Sequence, residues 1–92
     1  MTRKDIMIHS INAPISVTLT YDHKNNQVKP SVLLWEGREF KVSKIGYHHT
    51  YRQGRALVHV FSVATSNMFF RLVLNSETLS WRVEQIADAE AN

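Results

Sequence analysis

Strict alternation of apolar and polar residues runs through most of this chain. Ile15, Val17, Leu19 and Tyr21 alternate with Ser16, Thr18 and Thr20. That period of two, rich in β-branched residues, predicts a half-buried strand. The polar stretch 22–27 follows. Asp and Asn tolerate left-handed backbone and bond their own main chain, so it predicts a turn. In the next apolar run, 28–35, Pro30 has no N–H to give a ladder and belongs at a strand's start or on an edge. Glu36-Gly37 then reads as a two-residue hairpin loop that pairs Trp35 with Arg38 and Leu33 with Phe40. Leu33, Phe40 and Val42 share one face, with Lys41 opposite. The alternation slips between Val42 and Tyr47, and a bulge near Gly46 accounts for the slip and bends the strand.

Three more reversals follow. A two-residue loop at Gln53-Gly54 pairs Arg52 with Arg55, His49 with Val58 and His48 with His59. Paired residues share a face, so Tyr47, His49, Tyr51, Ala56, Val58 and Val60 read as core. His48, Thr50, Arg52, Arg55, Leu57 and His59 read as the outer face. A three-residue loop, Thr65-Ser66-Asn67, puts Val58 and Val60 with Phe70, Leu72 and Leu74. A shorter loop, Ser66-Asn67, would move each partner by one and turn every side chain to the other surface. A four-residue loop, Asn75-Ser76-Glu77-Thr78, pairs Leu72 with Trp81, Arg71 with Arg82 and Phe70 with Val83. Trp81 alternates with Leu79 and Val83 and reads as core. Trp35, beside its tight turn, is favoured for the core as well.

No helix of normal length has support. The pattern predicts an all-β chain: a single six-stranded antiparallel meander, curled or closed into a small half-open barrel to hide its apolar face. Residues 1–13 form an N-terminal arm in which Ile6, Ile8 and Ile11 pack as a short strand or fray. Residues 14–87 form the β domain, and 88–92 a frayed acidic tail.

Composition narrows the function classes. Ninety-two residues make one domain. The absence of cysteine excludes disulfides, thiolate metal sites and a cysteine nucleophile, and fits a cytoplasmic protein. No run of about 18 apolar residues predicts a membrane span, and the start is too short for a signal-peptide core. The net charge is +3, but between Arg38 and Arg82 seven basic residues face only Glu39 and Glu77. A basic middle points to nucleic acid or another polyanion as partner; the plainer alternative is an ordinary solvated surface.

The stretch 47–71 concentrates three of the five histidines, three arginines and five aromatic residues. Its outer face places His48 by His59, Arg52 by Arg55 and Arg71 by Arg82. Phe61 lies among them, with Phe69 as a further ring. Arginine and aromatic side chains on one open sheet surface suit single-stranded nucleic acid, whose bases stack on rings while guanidinium groups meet phosphates. The candidate site is therefore His48, Arg52, Arg55, His59, Arg71 and Arg82 as phosphate contacts and Phe61 as a stacking ring. His48 and His59 as a cross-strand pair are two potential metal ligands, but a zinc site wants three or four and the pattern places no third. No metal or other cofactor is expected. His49, on the predicted core face, reads as a buried histidine satisfied by a tyrosine hydroxyl. No nucleophile elbow, phosphate loop, zinc-protease motif or dinucleotide fingerprint is present, and no acids gather on one face, so no enzyme is expected.

The string 33–45, Leu-Leu-Trp-Glu-Gly-Arg-Glu-Phe-Lys-Val-Ser-Lys-Ile, with the later Phe-Arg-Leu-Val-Leu-Asn and Trp-Arg-Val, resembles short bacterial β-rich proteins of unknown function. These share a W-x-G-R-x-aromatic-x-V opening and a late arginine–tryptophan strand pair. The resemblance covers about residues 30–86 and implies a stand-alone bacterial β domain, with no activity to carry over. The leading expectation is a small non-enzymatic module that binds nucleic acid. The alternative is a structural or protein-interaction domain that forms a homodimer through a sheet edge or aromatic face.

Overall fold

The computed structural model describes residues 7–88, and every regular element among them is a strand. In chain order these are β1 (Ile8–Pro14), β2 (Ser16–Asp22), β3 (Gln27–Trp35), β4 (Arg38–Lys41), β5 (Lys44–Gln53), β6 (Ala56–Ala64), β7 (Met68–Asn75) and β8 (Ser80–Asp88). They form two antiparallel sheets, a five-stranded one in the order β1-β8-β7-β6-β5 and a three-stranded one in the order β2-β3-β4. The all-β, antiparallel expectation holds. The single six-stranded meander does not: among the described residues eight strands lie in two sheets, and no closed barrel forms.

Two local features account for the difference. Within the expected arm, the strand alternative is realised, and β1 pairs with β8 from Ile8↔Ala87 to Pro14↔Arg82. A break between Ser10 and Ala13, where Asn12 takes φ 51°, sets Ile11 and Ala13 against the core, while Ile8 stays exposed. The rest of the arm, with Ile6, lies outside the described residues, as does most of the acidic tail. The second feature is the hand-over after β4. The Val42 amide donates to Ser31 O of the small sheet, and the Ser43 amide donates to Ala64 O of the large one. Consecutive residues thus serve different sheets. The expected bulge near Gly46 is present between Ile45 and Tyr47.

The hairpins agree with the sequence to different degrees. Trp35↔Arg38 and Leu33↔Phe40 pair as expected, with Glu36 (φ 51°) and Gly37 (φ 75°) both left-handed, as a type I′ turn requires. Pro30 is not at a strand's start or edge. It lies in the central strand β3, beside an irregularity that leaves Ser31 out of the ladder. The β5–β6 loop is Gly54-Arg55 rather than Gln53-Gly54, with Gln53↔Ala56 and Arg52↔Leu57 paired and Gly54 at φ 62°. Glycine supplies the left-handed first turn position that this tight reversal needs. His48 therefore faces Phe61, and His59 faces Thr50.

The β6–β7 connection is the shorter alternative. The Thr65 amide donates to Met68 O at 2.8 Å and its hydroxyl to the same oxygen at 3.1 Å, closing a loop of Ser66-Asn67. Val60 pairs with Val73, Phe61 with Leu72 and Val63 with Phe70. Phe70, Leu72 and Leu74 share a face with Phe61 and Val63, not with Val58 and Val60. The last loop, 76–79, is also displaced by one residue, so Leu74 pairs with Trp81 and Leu72 with Val83. Leu79 sits in that loop at φ 62° and is exposed, not core. A break at Glu84 then pairs Arg71 with Gln85.

The core lies between the sheets. Leu33 and Phe40 of the small sheet pack on Phe61, Val63, Phe70, Leu72 and Val83 of the large one. Phe40 meets Phe70 at 5.0 Å, and half-buried Trp35 stands edge-on to Phe70 at 5.9 Å. The opposite surface of the large sheet is its open face.

Candidate nucleic-acid interface

The seven residues named from the sequence do not share one surface. His48, Arg52, His59 and Phe61 point to the core side of the large sheet, whereas Arg71 pairs with Ser62 and Gln85, and Arg82 with Val73, on the open side. Arg55 occupies the turn, where its carbonyl accepts from Arg52 Nη1 at 3.3 Å. Phe61 is buried in the core and offers no stacking surface. The division follows from the shorter β6–β7 loop, which turns β7 and β8 over relative to β6.

The residues assigned to the core on β5 are the ones left open. Tyr47 and Tyr51 are 61% and 43% exposed. His49 lies between them, its ring 4.9 Å from that of Tyr47, and its Nδ1 is buried without a partner rather than bonded to a tyrosine. Phe69, on the same face of β7, is 42% exposed. Val58, Val60 and Val73 form the floor.

A groove of about 480 Å³ crosses this face at the end where β5, β6, β7, β8 and β1 run together. Lys44 and Tyr47 wall it on β5, Ser62 and Ala64 on β6, Phe69 and Arg71 on β7, Gln85 and Ala87 on β8, and Ile8 on β1. Arg71 Nε is 3.0 Å from Glu84 Oε1, a half-exposed ion pair without hydrogen-bond geometry at the Nε, beside the groove that Arg71 lines. Arg82 Nη1 bonds Asn12 Oδ1 further along the face. Cations thus alternate with exposed rings. Neither Tyr47 nor Tyr51 was legible as exposed, because alternation assigns a strand's two faces but does not say which face a second sheet covers.

On the core side, at the end the small sheet does not reach, the histidines meet. His48 Nε2 and His59 Nδ1 are 2.9 Å apart. The His48 ring stacks on Phe61 at 4.2 Å with planes 4° apart, and Phe61 in turn packs on Trp81 at 5.8 Å. Partial burial lowers the His48 pKa from its ordinary value, and the nearby charges of His59 and His49 act in the same direction. Among the described residues, no three histidines, aspartates or glutamates converge as metal ligands, and no helix is long and apolar enough to cross a membrane.

Comparison with known proteins gives no matching family model, no similar curated protein and no similar solved structure.

Proposed function

We propose that this protein is a binding module for single-stranded nucleic acid, and that the open face of the five-stranded sheet is the surface it uses. The observation that carries the reading is the interleaving of exposed Tyr47, Tyr51 and Phe69 with Lys44, Arg71 and Arg82 on one sheet face, where Tyr47, Phe69, Lys44 and Arg71 line the groove and Tyr51 and Arg82 lie beyond it. Every base has a π-face, so rings at strand spacing stack successive bases without sequence preference. Lysine and arginine beside them meet the phosphates between those bases. The Gln85 amide and Ser62 hydroxyl, both lining the groove, are hydrogen-bonding groups for a base edge. The proposal keeps the partner expected from the sequence and moves the surface. Arg71 and Arg82 stay in it, while His48, Arg52, Arg55, His59 and Phe61 leave it. It assigns no catalysis.

Fluorescence anisotropy of labelled single-stranded DNA and RNA at low salt tests the reading. Wild type should bind, and the Tyr47→Ala/Tyr51→Ala double variant should bind at least about tenfold more weakly, since each stacked ring is worth about 1–3 kcal/mol. Arg52→Ala/Arg55→Ala, which alters the turn and the other face, should bind nearly as wild type does. No binding of either nucleic acid by wild type would sink the proposal. So would loss in the arginine variant with full binding in the tyrosine variant.

A further inference from the structure

The paired histidines on the other face use none of the surface just described, and their geometry points to a chemistry of its own. His48 lies on β5 and His59 on β6, one step apart diagonally, because His48 pairs with Phe61 and His59 with Thr50. Their rings are 18° from parallel with centroids 5.2 Å apart, while Nε2 of one and Nδ1 of the other are 2.9 Å apart. Only the two ring radii separate these values, so the imidazoles meet nitrogen to nitrogen, nearly in one plane. Such a contact holds a single proton between two lone pairs. Phe61, stacked at 4.2 Å, fixes the His48 ring against rotation out of that plane.

We propose that His48 Nε2 and His59 Nδ1 form a two-histidine site for a divalent transition metal, the ion taking the place of the shared proton. Zn–N bonds of about 2.0–2.1 Å at a tetrahedral angle put two ligand nitrogens about 3.3 Å apart. The pair therefore has to open by a few tenths of an ångström, and each ring has to turn within its plane by about 35° so that its lone pair, aimed at the other nitrogen in the unbound pair, meets the ion. Both ring nitrogens used are ordinary metal donors. Imidazole suits zinc, copper and nickel, and with no carboxylate or thiolate in the set the binding order follows the intrinsic one, Cu²⁺ ahead of Ni²⁺ and Zn²⁺. His48 is exposed, so water fills the remaining positions and the site stays open to one further donor. Among the described residues no third histidine, aspartate or glutamate joins the pair. A site with two protein ligands needs none, and binds correspondingly weakly.

Isothermal titration of the full chain, without a histidine tag, with Zn²⁺, Ni²⁺ and Cu²⁺ salts at pH 7.5 tests the assignment. One equivalent should bind, most tightly for Cu²⁺. His48→Ala and His59→Ala should each weaken it at least tenfold, while His23→Ala and His49→Ala leave it unchanged. His48→Gln serves if an alanine variant fails to fold, because it keeps a polar group at the position and removes the imidazole. In ¹⁵N-resolved imidazole spectra, Zn²⁺ should move His48 Nε2 and His59 Nδ1 together. Absence of binding by wild type, binding that survives the His48 and His59 substitutions, or binding lost equally with His23→Ala would each overturn the proposal.

Discussion

At the first reversal, one carboxylate holds the backbone. Asp22 Oδ1 accepts from the Lys24 amide at 3.0 Å and Oδ2 from Asn25 Nδ2 at 2.8 Å, while Tyr21 Oη donates to Asn26 Oδ1 at 3.0 Å. Both bonds to Asp22 favour its ionised form. Its pKa is lowered from the ordinary carboxylate value, first by Asn25 and then by the Lys24 amide. The unfolded chain thus takes up a proton at higher pH than the folded one does. The stabilisation is complete above the unfolded value, about 3.9. It is lost as pH falls through the lower folded value. Asp22→Asn keeps an acceptor oxygen but removes the titration. In urea denaturation from pH 7 to pH 2, the wild-type midpoint should fall more steeply below pH 4 than that of Asp22→Asn. Superimposable acid limbs would show that the turn carboxylate is not linked to folding. The turn itself was legible, because Asp and Asn carry a local mechanism. His48 and His59 were legible as potential partners, but not as a nitrogen-to-nitrogen contact, because a directly opposed pair and a diagonal one differ by two residues of register.

Register is where sequence and structure part at the scale of elements, and the errors are of two physical kinds. Sliding a hairpin loop by one residue without changing its length moves every pair by two. Faces are then preserved, since side chains alternate with period two. The β5–β6 and β7–β8 hairpins changed in this way: His48 and His59 still share a face, as do Leu72, Leu74, Trp81 and Val83. Shortening a loop by one residue moves every pair by one and exchanges the faces. That happened at Ser66-Asn67, where the bonds from Thr65 to Met68 closed the loop more tightly than pattern alone indicates. The second sheet was hidden for another reason. The alternation of Arg38, Phe40 and Val42 is the same whether the next strand continues its sheet or begins another. The adjacent phenylalanines give a test of the exchanged register. Phe70 is 2% exposed and central to the core, whereas Phe69 is 42% exposed on the open face. Phe70→Ala should cost about 3–5 kcal/mol in chemical denaturation. Phe69→Ala should cost about 0.5 kcal/mol or less. The reverse order would restore the longer loop.

In the molecule as a whole, the small sheet decides which surface is available. By covering Phe61, Phe70 and Leu72 it leaves one broad open face, and by ending short of His48 and His59 it leaves a separate patch on the covered side. Basic charge is divided between them. Arg52 and Arg55 stand at the tip of the β5–β6 hairpin, and Lys44, Arg71 and Arg82 on the open face. Overall charge attracts a polyanion to the molecule generally, but only cations in contact with phosphates release counterions from a bound strand. Each such contact on a single strand contributes about −0.7 to the slope of log affinity against log salt. With Lys44, Arg71 and Arg82 engaged, the wild-type slope should be near −2. Arg82→Gln should make it shallower by about 0.7, and Arg71→Gln likewise, although losing Arg71 also frees Glu84 to repel phosphate. Arg52→Gln should lower affinity slightly with no change of slope. Zn²⁺ at a saturating concentration should leave the slope as it was, because the histidine pair lies across the sheet from the bound strand. Anisotropy titrations between about 50 and 200 mM salt resolve these differences. A slope that responds to Arg52 and not to Arg82 would move the bound strand from the open face to the hairpin tip.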